Sequence, residues 1–581
     1  MAREEYPNPQ FERNNWINLN GEWDFEFDFG NSAAEGDILS RDNWSQKINV
    51  PFCPESKLSG IEYKDFIPAV WYRKKINLSN EQTSGRVIIN FGAVDYVSTL
   101  YVNGKEAGKH KGGYTSFSFD ITEFVVPGEN TLILNAVDDT RSALQPTGKQ
   151  ALWLKSVGCH YTRTTGIWQT VWLEFVPENY IKRIKITPDA KNSSVNISAE
   201  LCGKGDFSAV AYYNGNVVGS AVKTADSYVN TEIKLEEKHL WEPGNGILYD
   251  LVLKFGDDTV KSYFGLRDLA LDGYKFNING TSVFQRLVLD QGFYPDGIYT
   301  APTDEALHND IKLSMAAGFN GARLHQKVFE PRFLYHCDKE GYLVWGEFPN
   351  WGLDYSNPEV TEVFVNEWIE EVERDYNHPS IVGWCPFNET WDYNGRRQRD
   401  ELLATVYDVT KALDKTRPCI DTSGNYHVKT DIWDTHDYEQ DVDVFTKRYK
   451  EFDESDILYD PQNKRCDAEY KGGLFFVSEY GGIQWSVSND NEKAWGYGNG
   501  PKTEDEYFER YKGLTDALLS NKKMFGFCYT QLTDVEQEQN GVYTYCREKK
   551  FDTEKFKAIN SKKQQLKNKK ITGAHTPVIA D

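Results

Sequence analysis

The sequence predicts a multidomain chain: an N-terminal jelly-roll β-sandwich over residues 1–178, an immunoglobulin-like β-sandwich over 179–265 and a C-terminal (β/α)8 TIM barrel over 266–581. Three observations carry this reading. The first third is built of short apolar strands and hairpin turns with no long helical period. A second, shorter set of strands follows. After about residue 266, strands and helices alternate. At 581 residues the chain also exceeds what one hydrophobic core organises.

In the first region, Val87–Phe91 and Thr131–Val137 read as strands. Asn103-Gly104 follows the run Thr99–Val102, and both residues tolerate the positive φ that a tight hairpin demands. Two sheets of this kind pack as a jelly roll. From 179 onward the turns Asn214-Gly215 and Asp257-Asp258, with the short length, suit an immunoglobulin-like sandwich. The barrel begins with a strand over Ser282–Leu289. Leu307, Ile311 and Met315 then recur every four residues on a helix closed by Gly318. Ala322–Leu324, Tyr342–Trp345, Ile381–Trp384, Leu474–Val477 and Met524–Tyr529 are further strands. Helices are expected at Phe333–Glu340, across Val360, Phe364, Trp368 and Val372, across Leu402, Val406, Val409 and Leu413, and around Phe508–Leu519. Alternation implies a parallel sheet, and this many units imply a closed barrel.

Composition narrows the function. A net charge of −23 without a basic stripe argues against nucleic acid and anionic membrane as partners. The lysines at 562, 563, 567, 569 and 570 read as a solvated end rather than a binding arm. No apolar run is long enough to span a bilayer, and the first residues carry no apolar export signal, so a cytoplasmic location is expected. Nine cysteines, an odd number without CxxC spacing, fit free thiols in a reducing compartment rather than disulfides or a zinc site. Sixteen tryptophans and 34 tyrosines supply core and also flat faces for sugar rings.

The chemistry lies in two runs. Ile381–Trp384 leads through Cys385-Pro386-Phe387-Asn388 to Glu389, and Leu474–Val477 leads through Ser478 to Glu479. Carboxylates at the ends of buried parallel strands sit where (β/α)8 barrels do their chemistry. One such glutamate more often caps a helix or pairs with a lysine. Two, flanked by aromatics and glycine, match what glycosidic cleavage requires: one group to give a proton, one to attack or activate water. A Ser-His-Asp esterase is a poor alternative, since no G-x-S-x-G elbow occurs. A non-catalytic carbohydrate-binding protein is a second alternative, which the presence of both carboxylates disfavours.

With these residues in view, the chain resembles the family 2 glycoside hydrolases, the β-galactosidases, β-glucuronidases, β-mannosidases and relatives. The resemblance runs through Trp16–Phe25, Gly166–Gln169, Asn377–Trp384 with Asn388-Glu389, and Ser478–Gly481. It implies a retaining double displacement, with Glu389 as general acid/base and Glu479 as nucleophile. Glu389 would then hold its proton near neutral pH. Asn388 would bond the sugar 2-hydroxyl, and Tyr480 would orient Glu479. Further substrate-binding candidates stand after other strands: Asp290 and Gln291 after the first, where relatives often carry an Arg-His pair; Arg323, His325 and Gln326 after the second; Glu347 and Trp351 after the third. Trp391 lies past the acid/base, His436 and Tyr438 end the sixth strand, Trp485 follows the nucleophile, and Gln531 and Asp534 follow the eighth strand. No metal or other cofactor is implied, because the Glu-x-His segment of magnesium-using relatives is missing after the third strand. The partner is an oligosaccharide or other glycoside, and the resemblance also implies assembly into homo-oligomers.

For the sugar, the glucuronidase Asn-x-Lys pair falls on Glu538-Gln539-Asn540, with no lysine. A neutral terminal sugar is therefore expected, with β-galactoside as default. A β-glucuronide or β-galacturonide, a β-glucoside, a β-mannoside or an α-L-arabinoside are the alternatives. Lys327 keeps an acidic sugar open.

Overall fold

The computed structural model describes residues 3–424, 426–455, 457–459, 468–487 and 494–564. Lys567, Lys569, Lys570 and Cys466 lie outside the described residues.

The N-terminal strands alternate inward apolar and outward polar side chains, so each sheet has one face to bury. An antiparallel six-stranded sheet faces a four-stranded one. Trp23, Phe25, Tyr72, Leu100 and Leu134 meet Ile89, Phe91 and Leu173 between them. Asn103 and Gly104 take φ of +50° and +78°, which closes the hairpin between Val97–Val102 and Lys105–Lys111. The second domain is the immunoglobulin-like sandwich. Its longest hairpin pairs Ser194–Tyr213 with Asn216–Lys234 across Asn214-Gly215.

The third domain is the barrel. Its strands are Gln285–Asp290, Gly321–Leu324, Leu343–Glu347, Ile381–Cys385, Trp433–Asp437, Phe475–Gly481 and Met524–Thr530, joined in one seven-stranded parallel sheet. The fifth position is reduced to Cys419 and Thr422–Ser423. It closes the ring through a parallel bridge from Trp384 to Cys419 and through pairing of Phe387–Asn388 with Thr422–Ser423. The seventh strand runs past the expected Val477 to Gly481, so Glu479 is inside it. Thr303 caps the Asp304–Ala316 helix by accepting from the Ala306 amide, and Gly341 at φ +67° stops Pro331–Glu340.

Charged groups lock the domains together. Arg13 spans the first and second domains, donating to Glu174 at 2.5 Å and to Asp258 at 3.0 and 2.8 Å. All three are buried. The first domain also enters the barrel core directly, for Tyr114, Tyr161 and Trp168 belong to the same apolar cluster as Leu287, Trp345 and Phe476. Removing one partner of a buried charge cluster strands the others. Arg13→Met is therefore expected to lower the unfolding free energy by about 3–5 kcal/mol. Denaturant titration checks this, and a loss below about 1 kcal/mol would show that the seam does not depend on Arg13.

Candidate active site

Arg323, on the second barrel strand, is the hub. Only 1% exposed, it donates from Nε and Nη2 to the two Glu347 oxygens at 2.5 and 3.0 Å. It also donates from Nη2 to Asn388 Oδ1 at 2.9 Å, and from Nη1 to Glu479 Oε1 at 3.0 Å and the Ser478 carbonyl at 2.9 Å. One planar guanidinium thus ties groups at the ends of three other barrel strands, the third, fourth and seventh, to the second. Burial works against its charge, but Glu347 and Glu479 outweigh that and hold it protonated. Burial lifts the Glu347 carboxyl above its ordinary range despite this contact.

Glu479 accepts a second bond, on Oε2, from the Tyr438 hydroxyl at 2.5 Å. Tyr438 lies under Tyr497, the two rings stacked at 3.4 Å. Glu389 sits across the mouth with φ +46°, its amide bonded to the Ser423 carbonyl at 3.0 Å. Its Oε1 is 2.6 Å from His436 Nδ1, while His436 Nε2 is 3.4 Å from Glu479 Oε1. Oxygens of Glu389 and Glu479 and a nitrogen of His436 all lie within 4.8 Å of one another. Such a trio is also the one group among the described residues with metal-ligand spacing, though the imidazole between the carboxylates already accounts for their closeness.

The charges around Glu389 work against the expectation that it holds the proton. Burial favours the neutral acid, but the His436 hydrogen bond and charge, with Lys149 and Arg323, bring Glu389 below its usual range. His436 is raised in turn: burial opposes its charge, and Glu479 and then Glu389 overcome that. Both directions favour an ionised Glu389 beside a charged His436.

Tyr480 is corrected. Alternate strand residues face opposite ways, and the Tyr480 hydroxyl is bonded to Thr515 on the outer helix at 2.8 Å, away from Glu479. Tyr438 takes the orienting role instead. Lys327 is no free cation, since its ammonium donates to the carbonyls of Gly292 and Tyr299 at 2.5 and 2.7 Å. Burial pushes it down to about 8.

The remaining candidates divide. Arg323 holds the Asn388 Oδ1, while among the described residues nothing bonds its Nδ2. His325 is buried 3.5 Å from Glu347 and 3.8 Å from Glu479, and is kept neutral by burial and by the charges of Lys149, Arg323 and His436. Gln291 donates to Tyr161 and Gln531, and Gln531 donates to Asn540, each at 2.8 Å. Gln326 is fully buried and binds Asn350 at 2.7 Å, so it braces the loop rather than meeting substrate. Trp351 donates to the Asn388 carbonyl at 2.9 Å and meets the half-exposed Trp391 edge-on. Asp290 caps its own turn by accepting from Gly292, and burial lifts it to about 7. Asp534 pairs with Lys550. Trp485 packs on Phe551 and Tyr507, centroids 5.2 and 5.9 Å apart.

Sequence reasoning missed Lys149, Tyr161 and Tyr497 and gave Glu538 no positive role. Tyr161 donates to Glu538 at 2.5 Å, so a first-domain loop reaches the barrel mouth. Nothing local marks these residues; only the domain packing brings them there.

Comparison with known proteins agrees with this architecture. Residues 17–173 match the sugar binding domain of glycosyl hydrolases family 2, residues 179–267 the central family 2 domain and residues 301–481 the family 2 TIM barrel domain. The chain belongs to glycosyl hydrolases family 2. It is 27% identical to a β-galactosidase of Thermoanaerobacter pseudethanolicus over 73% of this chain and 57% of that one, and 26% identical to a putative β-glucuronidase of Formosa agariphila over 70% and 50%. The chain thus spans about half the length of these relatives. Its fold matches a β-glucuronidase of an uncultured Clostridium sp. with TM-score 0.77 at 20% identity, covering 96% of this chain and 99% of the other. A Ruminococcus gnavus β-glucuronidase in complex with D-glucuronic acid gives 0.78 at 18%, with coverage of 96% and 99%. Among the described residues, no helix is long and apolar enough to cross a membrane.

The position of the proton can be tested by pH. Because His436 is raised, the Glu389–His436 pair keeps its proton above the ordinary histidine value of about 6.5 and loses it as pH rises further. The basic limb of kcat/KM is expected above that value in the wild type and at lower pH in His436→Asn. An unmoved limb would place the proton elsewhere.

Proposed function

We propose that the protein is an exo-acting retaining β-glycosidase that works by double displacement through Glu479 and Glu389. The observation carrying this is the approach of the two carboxylates within 4.8 Å across one barrel mouth. Retaining sites hold their carboxyls about 5–5.5 Å apart, whereas inverting sites leave roughly 6.5–9.5 Å for a water.

The chemistry follows from the contacts. Arg323 and Tyr438 bond one Glu479 oxygen each, so the carboxylate is fixed while lone pairs remain to attack the anomeric carbon. As the glycosidic oxygen enters beside Glu389, the proton held on His436 passes to Glu389 and on to that oxygen. The bond from the anomeric carbon to the leaving oxygen breaks as the bond to Glu479 forms. Glu389, now a carboxylate, takes a proton from water, whose oxygen displaces Glu479 and restores the original configuration. Asn388, oriented by Arg323 through its Oδ1, would bond the 2-hydroxyl through Nδ2, a contact that tightens as charge builds on the ring.

On the sugar, the named relatives divide between β-galactosidase and β-glucuronidase. The expectation of a neutral sugar rested on a glutamate, Glu538, where the asparagine is expected and on the missing lysine beside it. Among the described residues, a different lysine stands at the same mouth, which favours the acidic class over the β-galactoside default.

Glu479→Gln is expected to lower kcat/KM by about a thousandfold or more on any accepted aryl glycoside, with the fold retained. NMR of the first-formed sugar should show the β-anomer. Wild-type activity in that variant, or an inverted first product, would end this assignment.

A further inference from the structure

Lys149 belongs to the first domain, yet its side chain lies in the barrel mouth. It is 5% exposed, and its ammonium stands 3.8 Å from the centroid of the Trp351 ring. Among the described residues it has neither a hydrogen-bond acceptor nor an ion-pair partner. The other buried lysines are satisfied: Lys327 by two carbonyls, Lys550 by Asp534 and Lys523 by the Phe452 carbonyl. A buried charge without a partner is costly and is retained where a ligand completes it.

Its position is built rather than incidental. Gly148 takes φ +54°, and a Cβ there would lie 2.5 Å from the Gln326 carbonyl oxygen, so only glycine lets the loop come this close to the second barrel strand. Thr147 donates its amide to the Trp351 carbonyl at 2.7 Å, and the Lys149 carbonyl accepts from Tyr161 at 2.7 Å. The backbone is pinned on both sides. The charge is felt around the whole mouth: it helps to lower Glu389, His325 and His160 and opposes the burial-driven rise of Glu538.

A cation with no bonded partner also works against the chemistry. Glycosidic cleavage builds positive charge on the sugar ring, and a nearby ammonium raises the energy of that transition state. A carboxylate on the sugar itself would cancel the ammonium and remove the penalty. Resting on the double-displacement reading above, we infer that Lys149 is the receptor for a ring carboxylate, so that the substrates are β-linked uronides. The first domain then supplies the cation that the barrel stretch around Glu538 lacks.

The test uses paired 4-nitrophenyl β-glycosides: glucuronide against glucoside, and galacturonide against galactoside. Wild-type protein is expected to prefer the acid member of at least one pair by about 100-fold in kcat/KM, and Lys149→Met to reduce that preference by about the same factor, the scale of losing one partner of a desolvated ion pair. Lys149→Arg should recover part of it. Calorimetry of wild-type protein with free D-glucuronic and D-galacturonic acid against D-glucose and D-galactose gives a readout that no misfolded variant can blur; tighter binding of an acid is expected. A wild-type preference for the neutral sugars, or an equal loss on both members of a pair in Lys149→Met, would overturn the inference. Failure of the double displacement would look different, as an active Glu479→Gln with the Lys149-dependent preference intact.

Discussion

The Arg323 guanidinium is the contact on which the rest of the site depends. Barrel closure alone brings strand ends near one another; it does not fix the orientation of the carboxylates. Arg323 does so by exhausting its rigid fork on Glu347, Asn388, Glu479 and the Ser478 carbonyl. A buried cation held by two carboxylates is expensive to isolate, so the pieces stand or fall together. Lysine would keep the charge and lose the geometry.

Around that hub the charges are arranged as a relay rather than as isolated acids. His436 lies between the two glutamates, where its charge favours an ionised Glu389 against the effect of simple carboxylate repulsion. This separates storage of the proton from its delivery. Tyr438, braced by Tyr497, holds the free oxygen of Glu479 from the opposite side. The first domain completes the mouth with Tyr161 and Lys149, so the sandwich shapes the substrate pocket and is not only a scaffold.

Much of this was legible in the sequence, for physical reasons that also set the limit. Strand–helix alternation and the glycine stops exposed the barrel, and Asn103-Gly104 and Asn214-Gly215 exposed the hairpins, because periodicity and turn chemistry are local. Glu389 and Glu479 were visible because strand ends in a parallel barrel converge by topology. Tyr480 misled because adjacency in a strand is opposition in space, while Tyr438 is distant in sequence and close in the fold. Lys149 was invisible since its role depends on a loop crossing from another domain. The charge balance at Glu389 was hidden for a related reason: two carboxylates alone favour a proton on one of them, and the imidazole between them pulls the other way.

The central claim is that this frame aims Glu479, and no other acid, at the anomeric carbon. Incubation with 2-deoxy-2-fluoro-β-glycosyl fluorides of glucurono, galacturono, gluco and galacto configuration, followed by peptide mass mapping, tests it most directly. One fluorosugar on Glu479, released slowly with return of activity, is the predicted result. Label on Glu389 or Glu347, or turnover of those reagents with no covalent adduct, would contradict it.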